Sequence, residues 1–113
     1  MNLQFEVREG RGVVTLGGAL TAANVDSFRD QVFRWMNEHD SVRQMVLDLG
    51  AMEFIDSAGL GLLIVLLKRC GERGGDIRIA RLQKRARLVF EITRAYKVFE
   101  IFDTVDEALK ASA

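Results

Sequence analysis

The sequence has no proline, one cysteine, one histidine and no excess of either charge. A single cysteine cannot form a disulfide within the chain, and one cysteine with one histidine cannot supply the four ligands of a usual zinc site. Sixteen lysine and arginine residues balance sixteen aspartate and glutamate residues, whereas a nucleic-acid-binding domain normally carries a clustered basic excess. These absences predict a protein of a reducing, cytoplasmic compartment that binds no nucleic acid.

Long apolar segments are also missing. The most apolar stretch, residues 58–67, ends at Lys68 and Arg69 and has about half of the roughly 20 residues that a membrane-spanning helix needs. We therefore predict a buried helix there and no insertion into a membrane. The first residues show no basic segment followed by an apolar one, so they predict no signal peptide. The 113 residues, 49% of them hydrophobic, fit a single domain over residues 1–113.

Hydrophobic periodicity predicts an opening hairpin followed by alternating helices and strands. We predict strands at residues 3–7, 13–16, 45–49, 77–80 and 98–102, with the hairpin turn at residues 10–12. We predict helices from residue 22, at residues 58–70 and 84–95, and after a capping box at residues 104–107. The helix at residues 84–95 is predicted to face the core with Ala86, Val89, Phe90 and Ile92. Residues 50–56 are predicted to form a loop. This order predicts an α/β fold with a mixed, mostly parallel sheet of four to five strands and about four flanking helices.

The most informative segment, residues 47–63, joins a buried strand to a helix. Ala58, Gly59 and Gly61 are unusually small for the start of a helix. Glycine in a helix interior costs about 1 kcal/mol relative to alanine, so two glycines in the first turn and a half require an explanation. Tight packing against the sheet and a bare surface that another protein can approach closely explain them equally well.

Ser57, at the start of this helix, has two interpretations. Serine at a helix start is usually an N-cap, and Thr21 is placed to cap the first helix in the same way. A phosphate on Ser57 would instead face free N–H groups and the positive end of the helix dipole. It would add about −1.5 to −2 charges at neutral pH. Asp56 would repel that charge, so a phosphorylated side chain should be exposed. Spacing alone favours the cap.

Other polar residues are weaker candidates. Asp48 and Asp56 flank the predicted loop, but no histidine or lysine base lies near them in sequence, which favours a structural or recognition role over hydrolysis. Cys70 is predicted to be a small buried side chain and His39 a solvated loop residue. A basic cluster predicts either a solvated helix face or a docking patch for an acidic partner; it comprises Arg81, Lys84, Arg85, Arg87, Arg94 and Lys97.

The motifs resemble those of STAS domains of the anti-sigma factor antagonist type, a bacterial family. Residues 18–23 resemble the start of the family's first helix. Residues 54–61, after the strand at 47–49, resemble its signature, a strand leading to D-S-[SA]-G-[LI]-G. Residues 74–77 and 98–109 resemble its fourth strand and its C-terminal end, so the resemblance covers nearly the whole chain.

This resemblance implies a partner-switching regulator with no catalytic activity and no cofactor of its own. Ser57 matches the serine that is phosphorylated by an anti-sigma factor acting as an ATP-dependent serine kinase. The unphosphorylated antagonist binds this kinase and frees a sigma factor, and a metal-dependent serine/threonine phosphatase resets the switch. The partner-binding residues implied are Thr21, Asp56, Ser57, Ala58, Gly59 and Gly61.

Thr21 departs from the family pattern, because many members have aspartate there. Threonine keeps the capping function and lacks the negative charge, which bears on kinase recognition and not on the fold. The fold is also compatible with a non-phosphorylated subunit of a lipid-transport complex or with a signalling scaffold. A small hydrolase or nucleotide-binding enzyme is disfavoured, because Gly59-Leu60-Gly61 is only a fragment of a phosphate-binding loop.

Overall fold

A computed structural model describes residues 2–111 of the chain. Within that range it has five strands, four α-helices and one 3-10 helix. In chain order they are β1 (Asn2–Arg8), β2 (Arg11–Leu20), α1 (Val25–Glu38), β3 (Met45–Ile55), α2 (Ser57–Glu72), β4 (Ile77–Ala80), α3 (Lys84–Ile92), the 3-10 helix (Ala95–Lys97), β5 (Glu100–Phe102) and α4 (Val105–Lys110).

The five strands form one sheet in the order β1-β2-β3-β4-β5. β1 pairs with β2 antiparallel, and the other three pairings are parallel. The predicted α/β fold with a mixed, mostly parallel sheet is therefore confirmed. Because right-handed crossovers between consecutive strands place their helices on one side of a sheet, this order predicts two unequal faces.

The two faces of the sheet are covered to different extents. The larger core lies between one face and the apolar sides of α1, α2 and α3. On the other face, α4 alone covers a small core formed by Val13, Val46, Ala80, Ala108 and Leu109. Arg78, 1% exposed, donates from Nη1 to the carbonyl oxygen of Ala108 over 2.8 Å. The short C-terminal helix is thus held by apolar packing and by a buried arginine.

The hairpin turn lies one residue earlier than predicted. Glu9 and Gly10 have φ values of 54° and 79°, and β2 already begins at Arg11. A two-residue turn with positive φ at both positions matches the right-handed twist of the flanking strands.

The predicted loop at residues 50–56 is wrong, because β3 continues to Ile55. Between the pairs Thr15–Asp48 and Gly17–Ala51, β3 uses one more residue than β2, and a second irregularity follows Gly18. These bulges interrupt the alternation by which a strand is recognised. β4 ends opposite Asp48, so the last part of β3 extends beyond it, paired with β2. This extension leads directly into α2.

The prediction that Ile92 faces the core is also wrong, since its side chain is 81% exposed. Ala86 and Phe90 are the buried residues of α3. Ile92 follows Phe90 by two residues, or about 200° around a helix of 3.6 residues per turn. It therefore lies on the side of α3 that faces away from the sheet.

Candidate functional site

Ser57 was predicted to cap the start of α2, but the structure has Asp56 in the N-cap position. Asp56 has extended backbone, with φ −104° and ψ −175°, and its Oδ1 accepts a hydrogen bond from Gly59 N over 2.9 Å. Aspartate caps helices as well as serine does, and here the aspartate precedes the first helical residue. Ser57 becomes that first helical residue, and it is exposed.

Asp56 also joins α2 to the turn after β2. Its Oδ2 accepts a hydrogen bond from Ala22 N over 3.0 Å, and its own N–H donates to the carbonyl oxygen of Leu20 over 3.2 Å. The hydrogen bonds from Gly59 N and Ala22 N lower the pKa of the Asp56 carboxyl below its ordinary value of 3.8. Asp56 is therefore negatively charged at neutral pH, directly before Ser57.

Thr21 caps a turn and not helix α1. Its Oγ1 accepts a hydrogen bond from Ala23 N over 3.2 Å, whereas α1 begins at Val25, with Asn24 in the N-cap position. Asn24 stabilises the same turn, because its Oδ1 accepts from Thr21 N over 3.0 Å and its Nδ2 donates to Ala19 O over 2.8 Å. The bond from Ala22 to the Asp56 carboxylate then brings this turn against the start of α2.

The two glycines that follow Ser57 have different surroundings. Gly59 is buried, and a Cβ atom there would collide with the carbonyl oxygen of Leu20 and lie 2.9 Å from Ile55 Cγ1. Packing against β2 therefore accounts for the missing side chain of Gly59, and its contact with a partner stays a prediction. Gly61 is exposed, and a Cβ atom there would meet nothing within 4 Å. Of the two explanations, tight packing applies to Gly59 and the bare surface to Gly61.

The structure separates Asp48 from this site. Asp48 is 7% exposed, and its Oδ2 lies 3.2 Å from Nη1 of Arg81. Its role is structural, and Arg81 is consequently not a free member of the basic cluster. Asp48 and Asp56 therefore do not form a pair of carboxylates.

Cys70 and His39 also lie outside the site. Cys70 is 1% exposed, as predicted, and burial raises the pKa of its thiol to about 11, so the reactive thiolate is suppressed. His39 lies in the turn after α1, as predicted, and is half-buried there. Its ring stacks on Trp35 with centroids 4.3 Å apart, and its Nδ1 lies 2.9 Å from the Trp35 carbonyl oxygen.

Two residues close to the start of α2, Ala22 and Phe54, were not among the predicted site residues. Ala22 contributes only a backbone N–H to Asp56, and no side-chain pattern signals such a contact. Phe54, in the extension of β3, is 42% exposed. The bulge before Phe54 leaves both Glu53 and Phe54 exposed, so strand alternation gives no signal for its position. Ala58, the predicted site residue that directly follows Ser57, is half-buried.

The chemistry available at the α2 start is limited. The Asp56 carboxylate is a weak general base, because both oxygens accept N–H groups and its pKa is lowered. Among residues 2–111, no three His, Cys, Asp or Glu side chains are grouped so that they could hold a metal ion. None of the helices described in that range is both long enough and apolar enough to cross a bilayer. What the site presents is an exposed hydroxyl that a separate enzyme can reach.

The sequence matches the family model of the STAS domain over residues 2–108. The chain belongs to the STAS domain family. An anti-sigma F factor antagonist of Paenibacillus polymyxa is 32% identical over 114 aligned residues, which cover 96% of this chain and 94% of the relative. The predicted family is thus confirmed.

Solved structures of other proteins share the fold. An anti-sigma factor antagonist from Mycobacterium paratuberculosis superposes with a TM-score of 0.84 at 25% identity, over 96% of this chain and 90% of that one. The murine Solute Carrier 26 family member A9 anion transporter superposes with a TM-score of 0.77 at 19% identity, over 88% of this chain and 17% of the transporter. The second likeness concerns the fold alone.

Proposed function

We propose that this chain is an anti-sigma factor antagonist that binds its partner through the start of α2 and releases it when Ser57 is phosphorylated. The observation that carries the proposal is that the adjacent residues Asp56 and Ser57 have different roles. Asp56 caps the helix, which leaves the exposed Ser57 hydroxyl available for modification. The 32% identity to a curated antagonist over nearly the whole chain supports the same function.

The proposed binding surface consists of Ser57, Ala58 and Gly61 together with the turn at Thr21. Gly61 leaves the outer side of α2 bare, so a partner backbone can approach it closely. Gly59 contributes indirectly, because its missing side chain lets α2 lie against the carbonyl oxygen of Leu20. We assign it a positioning role.

Phosphorylation would change the charge of this surface more than its shape. A phosphate on Ser57 brings about −1.5 to −2 charges next to the Asp56 carboxylate, whose lowered pKa keeps it ionised. Docking of a partner would have to strip water from both groups. An uncompensated buried charge costs several kcal/mol, and about 1.4 kcal/mol changes an affinity tenfold. The phosphorylated form should therefore bind far more weakly.

The remaining roles in the switch fall to other proteins. We propose that an anti-sigma factor with serine kinase activity transfers the γ-phosphoryl group of ATP to Ser57, and that a metal-dependent serine/threonine phosphatase removes it. ATP and metal ions belong to these partners, and the chain is a cytoplasmic regulator without catalytic activity. Thr21, which lacks the negative charge of an aspartate, lowers the charge density that the kinase meets.

Phosphorylation by the cognate kinase tests this proposal. The protein is incubated with kinase and ATP, and the phosphate is located by peptide mapping. We expect one phosphate per chain on Ser57 and none on the Ser57→Ala variant. Ser41→Ala is the matched control, since Ser41 is also exposed but lies in the turn after α1, which contacts the opposite end of α2, and it should be labelled fully. Full labelling of Ser57→Ala would contradict the proposal. No labelling of the wild-type protein would also contradict it and would favour the non-phosphorylated transport subunit or scaffold.

A further inference from the structure

The outer side of α3 and the 3-10 helix after it expose an unusual amount of apolar surface. Seven large apolar side chains are exposed among residues 2–111, and four of them fall within eleven consecutive positions. They are Leu88 (57% exposed), Ile92 (81%), Tyr96 (47%) and Val98 (54%). Leu88 and Ile92 are four residues apart and therefore lie on the same side of the helix. Contiguous exposed apolar surface of this kind marks interaction sites.

The segment that carries these apolar side chains is also rich in positive charge. Residues 82–98 contain five lysine and arginine residues and one glutamate, an excess of four positive charges in a chain whose net charge is zero. The remainder of the chain therefore carries four excess negative charges. Among residues 2–111, none of the ion pairs involves Lys84, Arg85, Arg94 or Lys97. We call these four cations and the four apolar side chains the basic apolar face.

A groove at the edge of the sheet formed by β5 adjoins the basic apolar face at Tyr96. The groove has a volume of about 400 Å³ and is lined by Arg87, Phe90, Glu91, Tyr96 and Ile101. Phe90 is fully buried at its floor. A side chain that enters the groove would contact apolar atoms below and charged groups at the rim.

We propose that the basic apolar face binds an acidic amphipathic helix of a protein partner. Apolar side chains of such a helix would pack on Leu88, Ile92 and Tyr96, and its carboxylates would face the surrounding cations. A symmetric dimer through this face is disfavoured, because two basic faces repel each other. An anionic bilayer is also disfavoured, because the groove is concave and contains Glu91, which would face lipid phosphates.

A synthetic peptide tests this proposal independently of the Ser57 switch. The probe is an 18-residue helix with leucine on one side and glutamate on the other, and a scrambled peptide of the same composition is the control. We expect backbone amide NMR shifts confined to residues 82–101 and binding that weakens as NaCl is raised from 50 to 300 mM, since salt screens surface charges. The scrambled peptide should bind at least tenfold more weakly.

Paired variants separate the apolar from the charged contribution. Leu88→Ser with Ile92→Ser should weaken peptide binding at least tenfold, and Arg94→Gln with Lys97→Gln should weaken it and reduce its salt dependence. Val65→Ser and Lys68→Gln are matched controls on α2, since both residues are exposed, and they should bind as the wild type does. Circular dichroism confirms that each variant is folded. The charge variant alone decides the test if the serine variant unfolds.

Three results would overturn the proposal. They are equal binding of the ordered and scrambled peptides, tighter binding to vesicles of phosphatidylglycerol and phosphatidylcholine than to the peptide, and shift changes outside residues 82–101. Failure of this proposal leaves the phosphorylation switch untouched, because neither the peptide nor these variants involve Ser57.

Discussion

The start of α2 and the basic apolar face of α3 are both at the surface, but they are built in opposite ways. Around Ser57 the residues are small, the backbone is fixed by the two hydrogen bonds to Asp56, and one carboxylate carries the charge. Between the start of α3 and residue 98 several exposed side chains are large and apolar, and four cations that form no ion pair within residues 2–111 lie in the same segment. The first surface suits a switch, because one added phosphate changes its charge decisively. The second suits attraction of a partner with complementary charge.

The same contrast holds for how each helix is stabilised. α2 buries six of its sixteen residues, including Gly59, and this packing compensates for the low helix propensity of its glycines. α3 buries only Ala86 and Phe90 among its nine residues. The start of α2 thus belongs to a firmly packed helix, whereas α3 buries only two of its side chains.

The largest expected effect concerns the two sides of α3. Phe90→Ala removes a fully buried ring that lies 5.9 Å from the Phe99 ring, and it should lower the free energy of unfolding by about 3–5 kcal/mol. Leu88→Ala, on the exposed side, should change it by less than about 0.5 kcal/mol. Urea unfolding of both variants measures the difference. Similar losses for the two would mean that the outer side of α3 is not exposed.

The next largest effect concerns Gly59. Gly59→Ala places a Cβ atom against the Leu20 carbonyl oxygen, so we expect a loss of about 1–3 kcal/mol of stability from overpacking. Thermal and urea unfolding measure this loss. A variant as stable as the wild type would show that α2 does not lie closely on β2, and it would return Gly59 to the partner surface.

Gly61→Ala should have the opposite sign. Its new Cβ atom meets nothing within 4 Å, and alanine is favoured over glycine in a helix by about 1 kcal/mol, so the variant should be more stable by up to about that amount. If a partner approaches Gly61 closely, the same variant should bind the anti-sigma factor more weakly. Increased stability with unchanged affinity would remove Gly61 from the proposed surface.

The smallest effect is the pH dependence of the Asp56 cap. Because hydrogen bonds lower the pKa of Asp56 below 3.8, its stabilising contribution is complete above pH 3.8 and is lost as the pH falls through the lowered pKa. Asp56→Asn keeps a capping side chain without a charge. The wild type should therefore exceed this variant in stability at pH 7, and the difference should shrink by pH 3. A difference that is constant with pH would contradict the assignment of the cap.

Much of the fold follows from sequence periodicity, since the predicted strands and helices all occur in the structure. The extension of β3 was missed because its bulges break the period of two on which strand recognition depends. The position of Ile92 was missed because Leu88, Val89 and Ile92 make α3 apolar on several sides. Periodicity alone could not choose which side packs on the sheet.

The segment that forms the site could be predicted from the sequence, but the role of each residue in it could not. Asp56 and Ser57 are both good capping residues, so only the helix boundary decides between them. Whether Gly59 or Gly61 is buried depends on its distance from β2. That distance follows from the packing of α2 and not from local sequence. Thr21 was placed near Ser57 by family resemblance. The backbone contact between Ala22 and Asp56 has no sequence signal.

The most direct test of the central claim is a calorimetric titration of the anti-sigma factor kinase with the unphosphorylated protein and with the Ser57-phosphorylated protein. We predict that phosphorylation weakens binding by roughly a hundredfold or more, with the melting temperature of the isolated protein nearly unchanged. Ser57→Asp, with one charge and less bulk, should weaken binding partially, and Ser57→Ala should bind persistently. Equal affinities of the unphosphorylated and phosphorylated proteins would contradict the account, because Ser57 would then be no switch.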